Sequence, residues 1–230
     1  MSLYKIHIGG SEFEIPSEYT VDQWLNIQRF DVDNDMFWSR IISQACDMPL
    51  DEANKIPIET QQVAMGIIAM CLVPKGDVKI VVDRHSLIDL QTMTFGQFID
   101  LEVYLSRGIK KHLADIVNIL YSCQDSEGML VRDIWPAVDL WLNWRNDIYM
   151  SYKSLFEIED AVKEEITLEA SDSSHDWYSL VMILCDGKFM DIDAATDKPL
   201  IQALNFLAWK KDEAKKAERK LQESKKKRVI

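Results

Sequence analysis

Glycine and proline are scarce in this 230-residue chain, eight and six residues, and the glycines are scattered. So few breaks leave room for long helices, and no glycine-rich run leads into Lys-Ser or Lys-Thr as a phosphate-binding loop requires. The four cysteines, Cys46, Cys71, Cys123 and Cys185, stand far apart in apolar or helical contexts. Buried reduced thiols are expected rather than a disulfide framework. His7, His85, His112 and His175 show neither paired metal spacing with cysteines nor a His-Glu-x-x-His helix, so no zinc site or zinc hydrolase is indicated. There is no nucleophile elbow, and among 38 acidic residues the meeting of two carboxylates has no specificity. The expectation is a protein that is not an enzyme and carries no cofactor and no metal. No stretch approaches the roughly 20 consecutive apolar residues of a membrane span, and Met-Ser-Leu-Tyr-Lys at the start lacks the apolar run of a signal peptide. A soluble intracellular product without a membrane partner is expected.

What the chain does have is apolar material and acid. Residues of hydrophobic type make up 47% of it, enough to bury a core in one domain or two small ones. The formal net charge is −12, but from Lys210 onward ten basic residues face four acidic ones, a tail of +6 on a body of −18. Such a body repels nucleic-acid phosphates, which leaves only the tail to meet them, and nucleic acid is not an expected partner.

Residues 3 to 15 alternate in the period of a strand on each side of Gly9-Gly10, which reads as a β-hairpin. Two strands alone are marginal, and Val78 to Val82 is the best candidate for a third. Further on, the apolar spacing is helical. Thr94 and Gln97 form a capping box that opens a helix carrying Phe98, and a second helix follows Gly108 up to Tyr121. The phrase occurs twice: Thr20-Val-Asp-Gln-Trp-Leu-Asn-Ile against Thr94-Phe-Gly-Gln-Phe-Ile-Asp-Leu. It places Trp24 and Phe98 at equivalent inward positions, as two similarly capped helices or as a duplicated docking helix. Asp31-Val-Asp-Asn-Asp begins like a calcium loop but lacks the glycine at its sixth position and the glutamate at its twelfth. The run from Ile58 to Leu72 reads as a buried helix stopped by Pro74, with Met65 and Met70 filling core gaps. Trp135, Trp141 and Trp144 read as core, since Asp133, Asp139 and Asp147 beside them oppose a polyanion.

A helix or broken helix is expected over 149 to 166, and Glu169 to Asp176 is the most polar stretch, with a boundary near Ser173. Pro199 begins the last helix, which runs past Trp209 into a charged segment with almost no apolar face beyond Leu221. The fold class is therefore mainly α, within α+β: a helical domain with a small N-terminal β-hairpin, open to extension by a third strand. Three consecutive parts are expected, a hairpin plus helical body over 1–170, a C-terminal helical segment over 171–209, and a basic helical extension over 210–230.

The hairpin Lys5-Ile-His-Ile-Gly-Gly-Ser-Glu-Phe-Glu-Ile-Pro followed by Thr20-Val-Asp-Gln-Trp-Leu-Asn-Ile-Gln resembles tail assembly chaperones and baseplate hub assembly proteins of long-tailed (contractile-tailed) bacteriophages. The stretch from Asp89 through Glu102, and Pro199-Leu-Ile-Gln-Ala-Leu-Asn-Phe-Leu-Ala-Trp-Lys-Lys before a charged helix, look like their later segments. The resemblance implies a mostly helical protein without catalysis that binds tape-measure or hub proteins through helix–helix contacts, in the host cytoplasm during assembly. Its alternatives are a permanent subunit of the virion baseplate or neck and, from another class, a nucleic-acid-associated accessory protein using the basic tail. The candidate partner-binding residues are Trp24, Phe98, Trp209, Lys215, Lys216, Arg219 and Lys220. Other tail or baseplate proteins are the expected partners, and a second copy of the chain is a candidate.

Overall fold

The structure, a computed structural model, describes residues 2–8, 11–30, 36–72, 76–156 and 177–227. Alternating residues at the start form strands β1 (Ser2–Ile8) and β2 (Ser11–Pro16), paired antiparallel with Ile6 opposite Phe13 and Tyr4 opposite Ile15. Ile6 and Ile15 are buried, and the hairpin packs on helix α4 (Ile58–Leu72). Helices α1 (Val21–Gln28), α2 (Phe37–Ala45) and α3 (Leu50–Ala53) lie between them in sequence. The expected turn at Gly9-Gly10, the Asp31–Asp35 segment and Pro74 lie outside the described residues.

Val78 to Val82 does not extend the hairpin. Val81–Val82 (β3) pairs instead with His85–Ser86 (β4) in a sheet of its own. Asp83 and Arg84 between them both hold left-handed φ angles, 46° and 70°, the geometry of a tight two-residue hairpin turn. That turn folds the segment back on itself before it can run beside β1 or β2.

Helices α5 (Phe95–Ser106) and α6 (Ile109–Leu120) fall where the spacing predicts them, separated by Gly108 at φ 100°. Helix α7 (Val131–Ser151) is followed, after a break at Tyr152, by the short α8 (Lys153–Phe156). The rest of the helix expected up to 166, the polar stretch and the boundary near Ser173 lie outside the described residues. Helices α9 (Trp177–Leu184), α10 (Ile192–Thr196) and α11 (Leu200–Lys227) complete the described chain, which is mainly α.

Where the sequence suggests three consecutive pieces, the chain contacts define two discontinuous units: residues 1–88 with 107–141, and residues 89–106 with 142–230. In the first, α1 and α6 pack together around Trp24, Ile27, Leu113 and Val117, and the first half of α7 adds Ile134, Trp135 and Trp141 to the core. In the second, Phe95, Phe98, Trp144, Tyr149, Phe156 and Trp177 form one aromatic cluster, with neighbouring ring centroids 4.5 to 6.4 Å apart. Gly96 fits this unit because a β-carbon there would stand 3.1 Å from that of Thr196, at the end of α10.

The repeated capping phrase marks a joint that also occurs twice. Thr20 Oγ1 accepts from Gln23 N–H at 3.3 Å while the Thr20 amide donates to the Gln23 side chain at 2.9 Å; Thr94 and Gln97 do the same at 3.1 and 3.0 Å. Each capping threonine also forms an antiparallel bridge to the residue that precedes a second helix, Thr20 to Leu130 before α7 and Thr94 to Pro199 before α11. The flanking bonds match: Val21 N–H to Met129 C=O at 2.9 Å and Val131 N–H to Tyr19 C=O at 2.8 Å, against Phe95 N–H to Lys198 C=O and Leu200 N–H to Met93 C=O, both 2.8 Å. One joint stands in each unit. Thr20→Ala and Thr94→Ala should each lower unfolding free energy by about 1 kcal/mol, as loss of a helix cap does, measured by urea denaturation; Thr→Ser at either position should restore most of it.

Candidate interaction surfaces

The strongly apolar α4 is not buried as its sequence predicts. Ala64, Ile68, Cys71 and Leu72 face inward, but Val63, Gly66, Ala69 and Met70 lie exposed, with Met70 at 76%. Met65 is half-buried. A helix that is apolar all round can leave one side bare when it packs on a single layer, and here that layer is the hairpin with α2.

Another bare surface lies in the second unit. Helix α9 ends at Leu184, and Asp186 and Gly187, both left-handed at φ 52° and 77°, reverse the chain into the turn Phe189–Asp191 and α10. This turn, α10 and the first half of α11 enclose an open hollow of about 520 Å³. Leu184, Ala195, Ala203 and Phe206 give it apolar walls, while Lys188 and Asp191 are among its charged lining residues. Phe189 and Met190 stand largely in solvent, Met190 at 88%. Trp209, 55% exposed, has its ring 5.7 Å from that of Phe206, and Lys210 Nζ lies 5.6 Å from the Phe206 centroid and 3.8 Å from Asp186. Exposed aromatic and methionine side chains gathered beside one hollow are the usual mark of a contact surface.

The candidate partner-binding residues separate sharply. Trp24 and Phe98 are 2% and 0% exposed, so neither offers a ring to a partner. Their equivalence is that of two core anchors, which favours the similarly capped helices over the duplicated docking helix. Trp209 sits on the bare surface just described. Lys215, Lys216, Arg219 and Lys220 lie on the exposed second half of α11, where Lys216 pairs with Glu213 at 2.9 Å. The helix is held to its unit as far as Lys211: Tyr152 O–H donates to Asn205 Oδ1 at 2.8 Å, and Lys211 Nζ donates to the Leu155 carbonyl at 3.1 Å. From Asp212 to Ser224 every residue is exposed.

The second unit also holds a buried polar cluster that none of the candidate partner-binding residues belongs to. Glu102 of α5 receives a two-pronged contact from Arg145 of α7, Nε and Nη2, the latter at 2.9 Å, and the Tyr149 hydroxyl donates to Glu102 Oε2 at 2.8 Å. The guanidinium also lies 4.6 Å from the Tyr149 ring centroid. Burial works against the charge on Arg145, but the Glu102 carboxylate outweighs it and holds the pKa above its ordinary value; burial, with Glu102 adding to it, pushes the Tyr149 hydroxyl up strongly. A signal was present: Glu102 stands four residues after Phe98 and three before Leu105, on the inward phase of α5. Glu102 and Tyr149 are buried, and neither the hollow beside α10 nor the lining formed by Leu25, Gln28, Arg29, Lys110 and Lys111 includes them.

Among the described residues, no group of three or more His, Cys, Asp or Glu side chains is placed to hold a metal, and no helix is long and apolar enough to cross a membrane. No protein-family model, curated protein or solved structure matches the chain.

Proposed function

We propose that this is a non-enzymatic assembly protein of a long-tailed bacteriophage tail or baseplate, which binds helices of tape-measure or hub proteins. The observation that carries the reading is the exposure of Phe189, Met190 and Trp209 in the second unit, close in the chain to Lys188, Asp191 and Phe206, which line a hollow of about 520 Å³; exposed apolar side chains of this kind suit the apolar face of an amphipathic helix. The resemblance of the hairpin, the Asp89–Glu102 stretch and the Pro199 helix supplies the setting. In this reading the protein acts in the host cytoplasm, and the charged half of α11 docks on an acidic surface of a neighbouring tail protein or of a second copy of this chain.

Exposed ion pairs contribute only about 0 to 1 kcal/mol each, and Leu221 is the one large apolar residue among Asp212 to Ser224. Truncation after Lys211 should therefore leave the thermal midpoint nearly unchanged while abolishing support of tail assembly, scored as infectious yield. Normal yield from the truncated chain would reduce the tail to a solubilising extension. Mass spectrometry of purified virions separates an assembly factor that leaves from a permanent baseplate or neck subunit, which must be present at fixed copy number. Salt separates both from the nucleic-acid reading, because binding to phosphates weakens steeply with added salt whereas apolar docking does not.

A further inference from the structure

A second hollow, of about 270 Å³, lies in the first unit between the end of α1 and the start of α6. Leu25, Gln28 and Arg29 line it from one side, Lys110 and Lys111 from the other. Its lining holds three cations and no carboxylate, within a chain of net charge −12. Among the described residues none of the three cations forms an ion pair or a side-chain hydrogen bond, although Asp115, one turn beyond Lys111, is available and pairs with His112 instead. The two lysines also occupy the first turn of α6, where the helix end is already positive and where no acidic residue stands. All three cations are exposed, so water screens their mutual repulsion, and an anion seated in the hollow gains charge-assisted contacts with each of them and with the positive helix end.

We propose that this hollow binds a tetrahedral oxyanion, a phosphate or a phosphate monoester, with Arg29, Lys110 and Lys111 as its cations and the Gln28 amide as a neutral donor. Charge selects this class. A single carboxylate leaves two of the three cations uncompensated, whereas a phosphate group brings close to two negative charges and three acceptor oxygens into one small volume. A nucleic-acid strand is disfavoured, since the chain as a whole carries a net charge of −12 and repels a polyanion.

The test is a titration of the full chain with sodium phosphate, followed by amide and arginine side-chain NMR, against sodium chloride at matched ionic strength. The expected result is a saturable shift at Arg29 and at residues 108 to 111, with a rise in thermal midpoint that chloride does not give. K110Q/K111Q should weaken the binding at least tenfold and leave the midpoint without phosphate unchanged; R29Q should weaken it as well. A parallel titration with O-phosphoserine distinguishes the sources: binding as tight as that of the free ion identifies a monoester on a partner, and binding of inorganic phosphate alone identifies the free anion. Shifts that are linear, that chloride or acetate reproduces, or that survive K110Q/K111Q overturn the proposal. So does an absence of binding.

Discussion

Trp24→Ala and Phe98→Ala will each lower the unfolding free energy by about 3 to 5 kcal/mol, the range for removing a large aromatic side chain from a packed core. Both rings are buried, but they differ in one respect that a second substitution exposes. The Trp24 indole N–H donates to the carbonyl of Leu72 at 2.7 Å, and Leu72 ends α4, where a carbonyl lacks a partner within its own helix. Trp24→Phe keeps most of the apolar volume and strands that carbonyl, so it should still cost about 1 to 3 kcal/mol. Phe98 packs its ring against Trp144, Tyr149 and Trp177 and carries no polar atom to strand, so Phe98→Leu should be milder than Phe98→Ala. Urea denaturation of the four variants checks this, and an unchanged midpoint for either alanine variant would contradict burial.

Arg145→Met is the second substitution with a large expected effect. It leaves the Glu102 carboxylate buried with the Tyr149 hydroxyl as its one remaining partner in the cluster, and breaking a buried pair from one side costs about 3 to 5 kcal/mol. Removing both charges, as Glu102→Met with Arg145→Met, should cost clearly less than the sum of the single changes, because no ion is then stranded. A double-mutant cycle by urea denaturation measures the difference. Strict additivity would show that the two side chains do not interact.

The features legible in the sequence were those set by a few neighbouring residues. The Thr20 and Thr94 capping boxes, the helix break at Gly108 and the start of the last helix at Pro199 all follow from local chemistry. What joins them was not legible, since Thr20 meets Leu130 and Thr94 meets Pro199 across more than a hundred residues by main-chain bonds that any side chain allows. The third strand failed for a related reason. Val78 to Val82 reads as one strand, but the left-handed pair Asp83-Arg84 contains no glycine to announce a turn. Helix α4 misled because apolar character fixes how much surface a helix would bury and not whether a neighbour covers it, and Met70 shows the outcome. The surface around Phe189, Met190 and Trp209 was legible only in part: Trp209 stood out in the sequence, whereas the hollow beside it depends on how α9, α10 and α11 fold together.

The central claim is that this chain is needed to build a phage tail through contacts of its bare apolar surface and its charged helix. Its most direct test is electron microscopy of particles made when a phage carrying the gene for this chain has an early stop codon in it, with the intact chain supplied from a plasmid as the control. The account predicts filled heads without complete tails, restored by the intact chain and not by one carrying Phe189→Asp, Met190→Asp and Trp209→Asp together, provided that variant keeps its thermal midpoint. Complete, infectious tails in the absence of the chain would contradict it.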